Sequence, residues 1–315
     1  MGPSWRKITP VIVVITITSL ACGLQESLED FLSSSGGGSS SATPIAFQTV
    51  EPVLIDIQTF EDIDASEGDL LSPRNWRAWP VVPQISPHLH DIYIQGLLRG
   101  NNPHAYSVIG DCQSAPAVFG GLYAQPDRYS LGEGYEYLQE TIDQFAGSFD
   151  HINITVQNGF GASTVFSPIW SDTELCLEGE TPIECEFRLH RPSVVFINLG
   201  TNWIENGSAS HEAFLRQMVE FALARGVIPI LSTKADNFEG DQSINESIVR
   251  VAYDYRIPLW NFWSAVQDLP DRGLDPSREG DYLSIQAWNE RNFTGLQALD
   301  AVWRAIKNDS TAWQP

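Results

Sequence analysis

Three short motifs in this chain carry residue types that could do chemistry together. They are Gly110-Asp111-Cys112, Asn158-Gly159-Phe160-Gly161 and Gly200-Thr201-Asn202. A cysteine thiol is a nucleophile once it ionises, so the first motif offers a group for covalent chemistry. Each motif alone is also typical of an ordinary turn. All three follow apolar runs, however, and that shared position suggests one active-site framework.

The elements that must position these motifs alternate along the chain. Apolar runs predict strands at residues 106–109, 152–157, 194–199, 227–231 and 257–260. Helical spacing predicts helices around Met218, over residues 245–255 and around Val302. Strands alternating with helices predict an α/β fold with about five parallel strands and helices on both faces. Ligands bind at the carboxyl edge of such sheets, which is where all three motifs fall.

The order and spacing of the motifs resemble the first three sequence blocks of the SGNH (GDSL) hydrolases, over residues 106–307. The resemblance implies a flavodoxin-like three-layer sandwich over residues 103–309, with hydrolysis of esters as the reaction class. Cys112 then stands at the nucleophile position, and Gly161 and Asn202 match oxyanion donors. Such donors stabilise the negative charge that develops on a carbonyl oxygen. The resemblance gives supporting positions to Gly110, Asp111 and Gly200.

Two positions depart from the pattern of this family. Cys112 replaces its serine, and Asp111 in an acidic chain disfavours the thiolate form. The family's Asp-x-x-His block aligns with Glu279 at the orienting carboxylate position and Tyr282 at the base position. A phenol keeps its proton until about pH 10, so it is a poor base near neutrality.

Other histidines are candidates for a replacement base. His104, His151 and His190 precede predicted strands and should lie at the opposite edge of the sheet. His211 follows the third motif and could reach the rim of the site, and His88 and His90 could fold over it. No metal site and no cofactor are predicted, because the cysteines lack zinc-site spacing and His88-x-His90 alone is a weak signal.

The remaining cysteines sort by position. Cys176 and Cys185 lie nine residues apart in a polar segment and are predicted to form a disulfide, which leaves Cys112 unpaired. Residues 1–22 resemble a bacterial lipoprotein signal, with Cys22 as the lipidated residue. Ordinary signal cleavage and an uncleaved anchor stay open as alternatives.

Composition limits the partners and the compartment. With 18 Lys and Arg against 40 Asp and Glu, the formal charge of −22 makes nucleic acid an unfavourable partner. Residues 23–44 form a Ser/Gly-rich tether, residues 45–102 a Pro/Trp-rich extension packed on the domain, and residues 310–315 a tail. We expect export and a lipid anchor on the outer face of a bacterial membrane, or secretion as the alternative.

Three functions are compatible with this sequence. The first is an impaired SGNH-like hydrolase, a pseudoenzyme that retains a pocket for a small ester or carbohydrate ligand. The second is an active thiol-dependent esterase in which His211, or Glu279 with Tyr282, assists Cys112. The third is a structural or interaction lipoprotein. The ionisation of Cys112 should separate the first two functions, and a concave apolar pocket at the carboxyl edge of the sheet should separate both from the third.

Overall fold

The structure, a computed structural model, describes residues 72–202, 207–278, 280 and 282–308 of the 315-residue chain. The predicted signal, the tether and the first part of the extension lie outside the described residues, as does the tail. Cys22 and Glu279 also lie outside them.

The described residues form one parallel sheet of four strands in the order in which they occur along the chain. These are β1 (Asn102–Gly110), β2 (Pro192–Asn198), β3 (Ile228–Ser232) and β4 (Leu259–Trp260). Tyr106 pairs with Val194 across β1 and β2, and Phe196 pairs with Ile230 across β2 and β3. Because β2 is buried along its whole length, its run of apolar residues is nearly continuous.

Helices cover both faces of this sheet. They are α1 (His88–Leu98), α2 (Leu138–Gln144), α3 (Pro182–His190), α4 (Ser208–Ala224), α5 (Ser243–Tyr255), α6 (Phe262–Val266) and α7 (Ile285–Asn308). Ser107 of β1 donates a 2.6 Å hydrogen bond to Glu186 of α3, whereas the ring of Tyr106 packs 5.8 Å from that of Phe145, directly after α2. Successive strand residues point to opposite faces, so α2 and α3 lie on opposite sides. The predicted three-layer α/β arrangement is therefore confirmed.

The sheet has four strands rather than about five, because residues 152–157 form turns instead of the predicted second strand. At this edge of β1, side chains form hydrogen bonds with the backbone groups that a neighbouring strand would otherwise pair with. Asn153 Oδ1 accepts from the Val108 N–H at 2.8 Å, and Thr155 Oγ1 donates to the Val108 carbonyl at 2.6 Å. The Ile154 N–H in turn donates to Glu186 at 2.9 Å. An isolated bridge between Gly110 and Val156 is the remaining ladder contact here.

The described part of the N-terminal extension is more ordered than its lack of a long helical period indicates. It contains α1, which approaches the turn after α4 so closely that a Cβ at Gly96 would lie 2.1 Å from the Gly226 carbonyl oxygen. Asn261 at the end of β4 donates to the Trp76 and Trp79 carbonyls at 2.9 and 3.1 Å. These contacts fix the extension against the sheet.

Among the described residues, none of the helices has the length and apolar character that crossing a bilayer requires.

Candidate functional site

The turn after β1 is held in place by its own side chains. Asp111 is buried, and its Oδ1 accepts from the Gln113 N–H at 2.9 Å, which caps the 3₁₀ turn Cys112–Ser114. Gly110 lies against Ser114, whose Oγ would be 2.3 Å from a Cβ at that position. Asp111 therefore has an orienting contact, and Gly110 fills a place that a larger residue cannot occupy.

The two predicted oxyanion positions lie beside each other. The exposed Asn202 side chain donates from Nδ2 to the Phe160 carbonyl at 3.1 Å, and a Cβ at Gly161 would be 3.6 Å from the Asn202 carbonyl oxygen. One amide N–H of Asn202 is thus used to hold the glycine loop, while the loop and the strand exit meet as a shared site requires.

The cysteines differ from the sequence-based expectation at one position. Cys176 and Cys185 are joined by a disulfide. Cys112 is also disulfide-bonded, and no described cysteine is a free thiol. The prediction that Cys112 is unpaired is therefore wrong for this structure. A sulfur held in a disulfide cannot attack as a thiolate until that bond is reduced.

Tyr282, at the predicted base position, is engaged by its neighbours. Its ring centroid lies 3.4 Å from the guanidinium carbon of Arg278, and its carbonyl accepts from the Asp275 N–H at 2.8 Å. Leu283, the next residue, lines the cavity described below. Glu279, the predicted orienting carboxylate, lies outside the described residues.

The three histidines expected at the far edge lie near the amino ends of β1 and β2. The rings of His151 and His190 stack with centroids 3.8 Å apart, and His151 Nε2 is 2.9 Å from Glu186. Burial lowers the pKa of His190, and the charge of a protonated His151 lowers it further. His104 Nδ1 contacts the Gln144 carbonyl at 3.1 Å.

His88 and His90 do not fold over the carboxyl edge as expected. His90 Nδ1 is 2.8 Å from the Ile306 carbonyl near the end of α7, and His88 Nδ1 is 2.7 Å from Ser86 Oγ. The reason is that α1, which carries both, packs against α7. Burial also lowers the pKa of His88.

His211 lies beneath the edge of the sheet rather than at its rim. Its Nδ1 is 2.9 Å from Ser247 Oγ, and its Nε2 is buried without a hydrogen-bond partner. Burial lowers its pKa from 6.5 to about 4, so the imidazole is neutral at physiological pH. A Cβ at Gly200 would be 3.6 Å from His211 Nε2. The expectation that His211 reaches the rim is therefore wrong.

A polar cavity of about 20 Å³ opens at the carboxyl edge. It takes residues from the ends of β1, β2 and β3 and from α7. Its lining is Asp111, Gln113, Asn198, Leu199, Thr201, Ser232, Thr233, Lys234, Ala235, Asp236, Phe262, Leu283 and Arg291. Ligands bind at this edge of parallel sheets, so the cavity is the centre of the candidate site.

Two buried cations, Lys234 and Arg291, line the cavity. Lys234 Nζ lies 2.5 Å from both Asp236 and Glu239, and all three side chains are buried. Arg291 of α7 donates to the Gln113 carbonyl, so a guanidinium braces the turn that carries Cys112. Burial lowers the pKa of Arg291 to about 10, against the opposing effect of the nearby carboxylate of Asp111, and leaves it charged at neutral pH.

A weak signal for the Lys234 cluster was present in the sequence. Lys234 lies two residues beyond the end of β3, at the same edge as the three motifs. For Arg291 no local signal exists, since its role depends on how α7 packs against the turn after β1.

In the part of the chain that the structure describes, one cluster of His, Cys, Asp or Glu has metal-like spacing, and it consists of Cys176, Glu180 and Cys185. Both of its sulfurs belong to the disulfide, so they are not available as thiolate ligands.

Comparison with known proteins gives similarity among solved structures alone. No protein-family model and no curated protein matches the chain. A "putative acylhydrolase" from Bacteroides fragilis NCTC 9343 is 17% identical, with a TM-score of 0.42 over 70% of this chain and 100% of that one. A GDSL-like lipase from Bacteroides thetaiotaomicron VPI-5482 is 15% identical, with a TM-score of 0.42 over 69% of this chain and 98% of that one. The chemistry of the site is therefore argued from the residues of this chain alone.

Proposed function

We propose that this chain is an exported protein with an ester-hydrolase-like fold that retains a ligand pocket and has lost most or all hydrolytic activity. Its ligand is a small ester or a carbohydrate bound at the carboxyl edge of the sheet. The loss of activity, the pocket and the export are separate parts of the proposal, and different residues support each.

The proposed loss of activity is supported mainly by the contacts of the histidines. All six histidines are described, and each has a ring nitrogen engaged away from the cavity lining. Ester hydrolysis by a nucleophile at position 112 needs a base that takes up its proton and returns it to the leaving alcohol. Tyr282, whose ring packs on Arg278, is a poor substitute for an imidazole at neutral pH.

The pocket supports ligand binding without turnover. Asp111, Asn198 and Lys234 come from three different strand ends and converge on one cavity. Polar groups that converge at this edge are typical of a binding site. These groups can bind a ligand without a catalytic base.

Thiol-dependent ester hydrolysis is the second candidate, and the position of Arg291 favours it. Its guanidinium donates to the Gln113 carbonyl, one residue beyond Cys112, and a nearby cation favours a thiolate. After a thiol reductant opened the disulfide, the thiolate would attack the ester carbonyl and expel the alkoxide, which takes a proton from water. Water would then hydrolyse the thioester and regenerate the thiol.

Turnover of p-nitrophenyl acetate tests these two candidates. The native protein and Cys112→Ser should show negligible activity, with or without reductant. Cys112→Ser combined with Tyr282→His should gain measurable activity, because nucleophile and base act as a unit and their effects are non-additive. Cys112→Ser with Tyr253→His is the matched control, since it adds an imidazole at an exposed tyrosine elsewhere. Robust turnover by the reduced native protein, abolished by Cys112→Ala, would establish the thiol esterase instead.

Export with a lipid anchor is proposed from the sequence around Cys22. Lipidation would make the mature protein partition into detergent, and Cys22→Ser should release it or block maturation. It would also consume the Cys22 sulfur. Because Cys112 is disulfide-bonded in this structure, thiol titration under denaturing, non-reducing conditions also tests the anchor: one free thiol would support lipidation of Cys22, and no free thiol would contradict it. A Cys22→Ser protein that is processed and membrane-bound like the parent would contradict the anchor.

A further inference from the structure

Asn198, the last residue of β2, has an unusual environment for a buried amide. The residue is 7% exposed, and neither its Nδ2 nor its Oδ1 has a hydrogen-bond partner. Leaving a buried amide unpaired is unfavourable, because water's hydrogen bonds are lost and nothing replaces them. Since Asn198 lines the cavity, a bound group is the natural partner for both atoms.

The surroundings of Asn198 are rigid, so the amide faces a preformed space. Gly110 is its neighbour across the sheet and contributes no side chain there. On the other side, Asn245 holds the backbone of Lys234 at both its N–H, 2.8 Å, and its carbonyl, 3.0 Å. The Thr233 hydroxyl donates a 3.1 Å hydrogen bond to Asn261 Oδ1. A ligand therefore meets positions that need no rearrangement.

The charges around the cavity select against an ionic ligand. Lys234 and Arg291 are matched by Asp111 and Asp236 in the lining. An anion at Asn198 would satisfy Nδ2, leave Oδ1 unpaired and meet two buried carboxylates. A cation would leave Nδ2 unpaired and meet two buried cations. A neutral group that both donates and accepts satisfies the amide without either penalty.

We propose that Asn198 recognises a pair of adjacent hydroxyl groups on a neutral polyol or sugar. One hydroxyl oxygen accepts from Nδ2, and the other hydroxyl donates to Oδ1. A cavity of about 20 Å³ holds one or two groups of the size of water, so the hydroxyl-bearing edge of the ligand enters and the remainder stays outside. This inference rests on the proposed function and names the ligand class of its pocket.

Binding of small neutral diols to the full chain tests the assignment. Methyl α-D-mannopyranoside and glycerol carry adjacent hydroxyls, whereas 1,3-propanediol does not, and acetate and ethylammonium supply the two charges. Ligand-observed NMR should detect binding of the first two probes to the protein. The other three probes should bind at least about tenfold more weakly. Asn198→Leu should weaken binding of the sugar by about tenfold or more, and Asn75→Ala, which removes an exposed amide elsewhere, should leave it unchanged.

Thermal unfolding of the ligand-free proteins separates recognition from a structural role. Because the Asn198 amide has no partner within the protein, a leucine of similar volume should leave the melting temperature unchanged or raise it. A large fall in melting temperature would show that the amide is already paired and would overturn the inference. So would equal binding of all five probes, no binding of any diol to the parent, or sugar binding that survives Asn198→Leu.

The outcome is independent of turnover. An active native esterase that binds adjacent hydroxyls through Asn198 would refute the proposed impairment and support this inference. An inactive protein whose cavity holds water alone would support the proposed impairment and refute this inference.

Discussion

Acidification should destabilise the folded chain through His211 in particular. The imidazole is buried between α4 and α5, with Nδ1 bonded to Ser247 and Nε2 unpartnered. Burial lowers its pKa from 6.5 to about 4, so the folded state resists a proton that the unfolded chain accepts readily.

The sign and size of the effect follow from this difference. Stability contributed by neutral His211 is fully present above pH 6.5 and is lost as the pH falls from 6.5 towards 4, because over that interval the unfolded state binds more protons. Each pH unit is worth ~1.4 kcal/mol, so the whole interval is worth roughly 3 kcal/mol. For a domain stable by about 5–15 kcal/mol, that is a substantial fraction.

Urea unfolding of the parent and of His211→Asn between pH 7.5 and pH 4 measures the effect. Asparagine can keep the bond that Nδ1 makes to Ser247, and it does not titrate. The free energy of unfolding of the parent, relative to the variant, should therefore fall by roughly 3 kcal/mol across this range. Other groups act in both proteins and cancel in the difference. His104→Asn serves as the matched control at an exposed histidine.

Parallel pH profiles for parent and His211→Asn would refute this reasoning. They would mean that His211 is solvated or paired in the folded protein, in which case it could serve as a replacement base after all. The same experiment therefore bears on the proposed loss of catalytic activity.

Two further perturbations test the buried ions and the disulfide. Lys234→Met should lower the free energy of unfolding by about 3–5 kcal/mol in urea titrations, because Asp236 and Glu239 lose their shared cation. Adding Asp236→Asn and Glu239→Gln should recover most of that loss, whereas a Lys234→Met protein as stable as its parent would show that the cluster is solvated. Replacing Cys176 and Cys185 together with serine should lower stability by about 2–3 kcal/mol, given their separation of nine residues. Unfolding curves that do not respond to reductant would contradict this expectation.

The strands were predictable from sequence where burial alone decides the pattern. The run at residues 194–199 is apolar because β2 is covered on both faces, and it predicts β2 to within two residues. The same logic located β1 and β3. It failed at residues 152–157, where the side chains of Asn153 and Glu186 accept from backbone N–H groups and Thr155 donates to a backbone carbonyl in place of a strand ladder. Alternating residue types cannot reveal such a substitution, because it depends on tertiary contacts, including one to Glu186 of α3.

The site was only partly predictable, for a related reason. Position after a strand identified the carboxyl edge and the turns at Gly110 and Asn202, since parallel strands bring their ends together. Gly161 lies beside Asn202 although the run before it is not a strand. Nothing local indicated that Arg291 reaches the turn of Cys112, because that contact arises from tertiary packing of α7. His211 was misjudged because its distance from the motif in sequence says nothing about its depth beneath the sheet.

Buried charge at the carboxyl edge is itself an argument that this edge was shaped for a ligand. Lys234 with its two carboxylates, Arg291 beside Asp111 and the unpaired amide of Asn198 occupy one end of an otherwise apolar sheet. Replacing a buried ion pair by apolar residues is often neutral or stabilising, so stability alone does not explain such a cluster. Proteins tolerate local violations of this kind mainly at functional sites. The pocket therefore supports a binding role whether or not position 112 can act as a nucleophile.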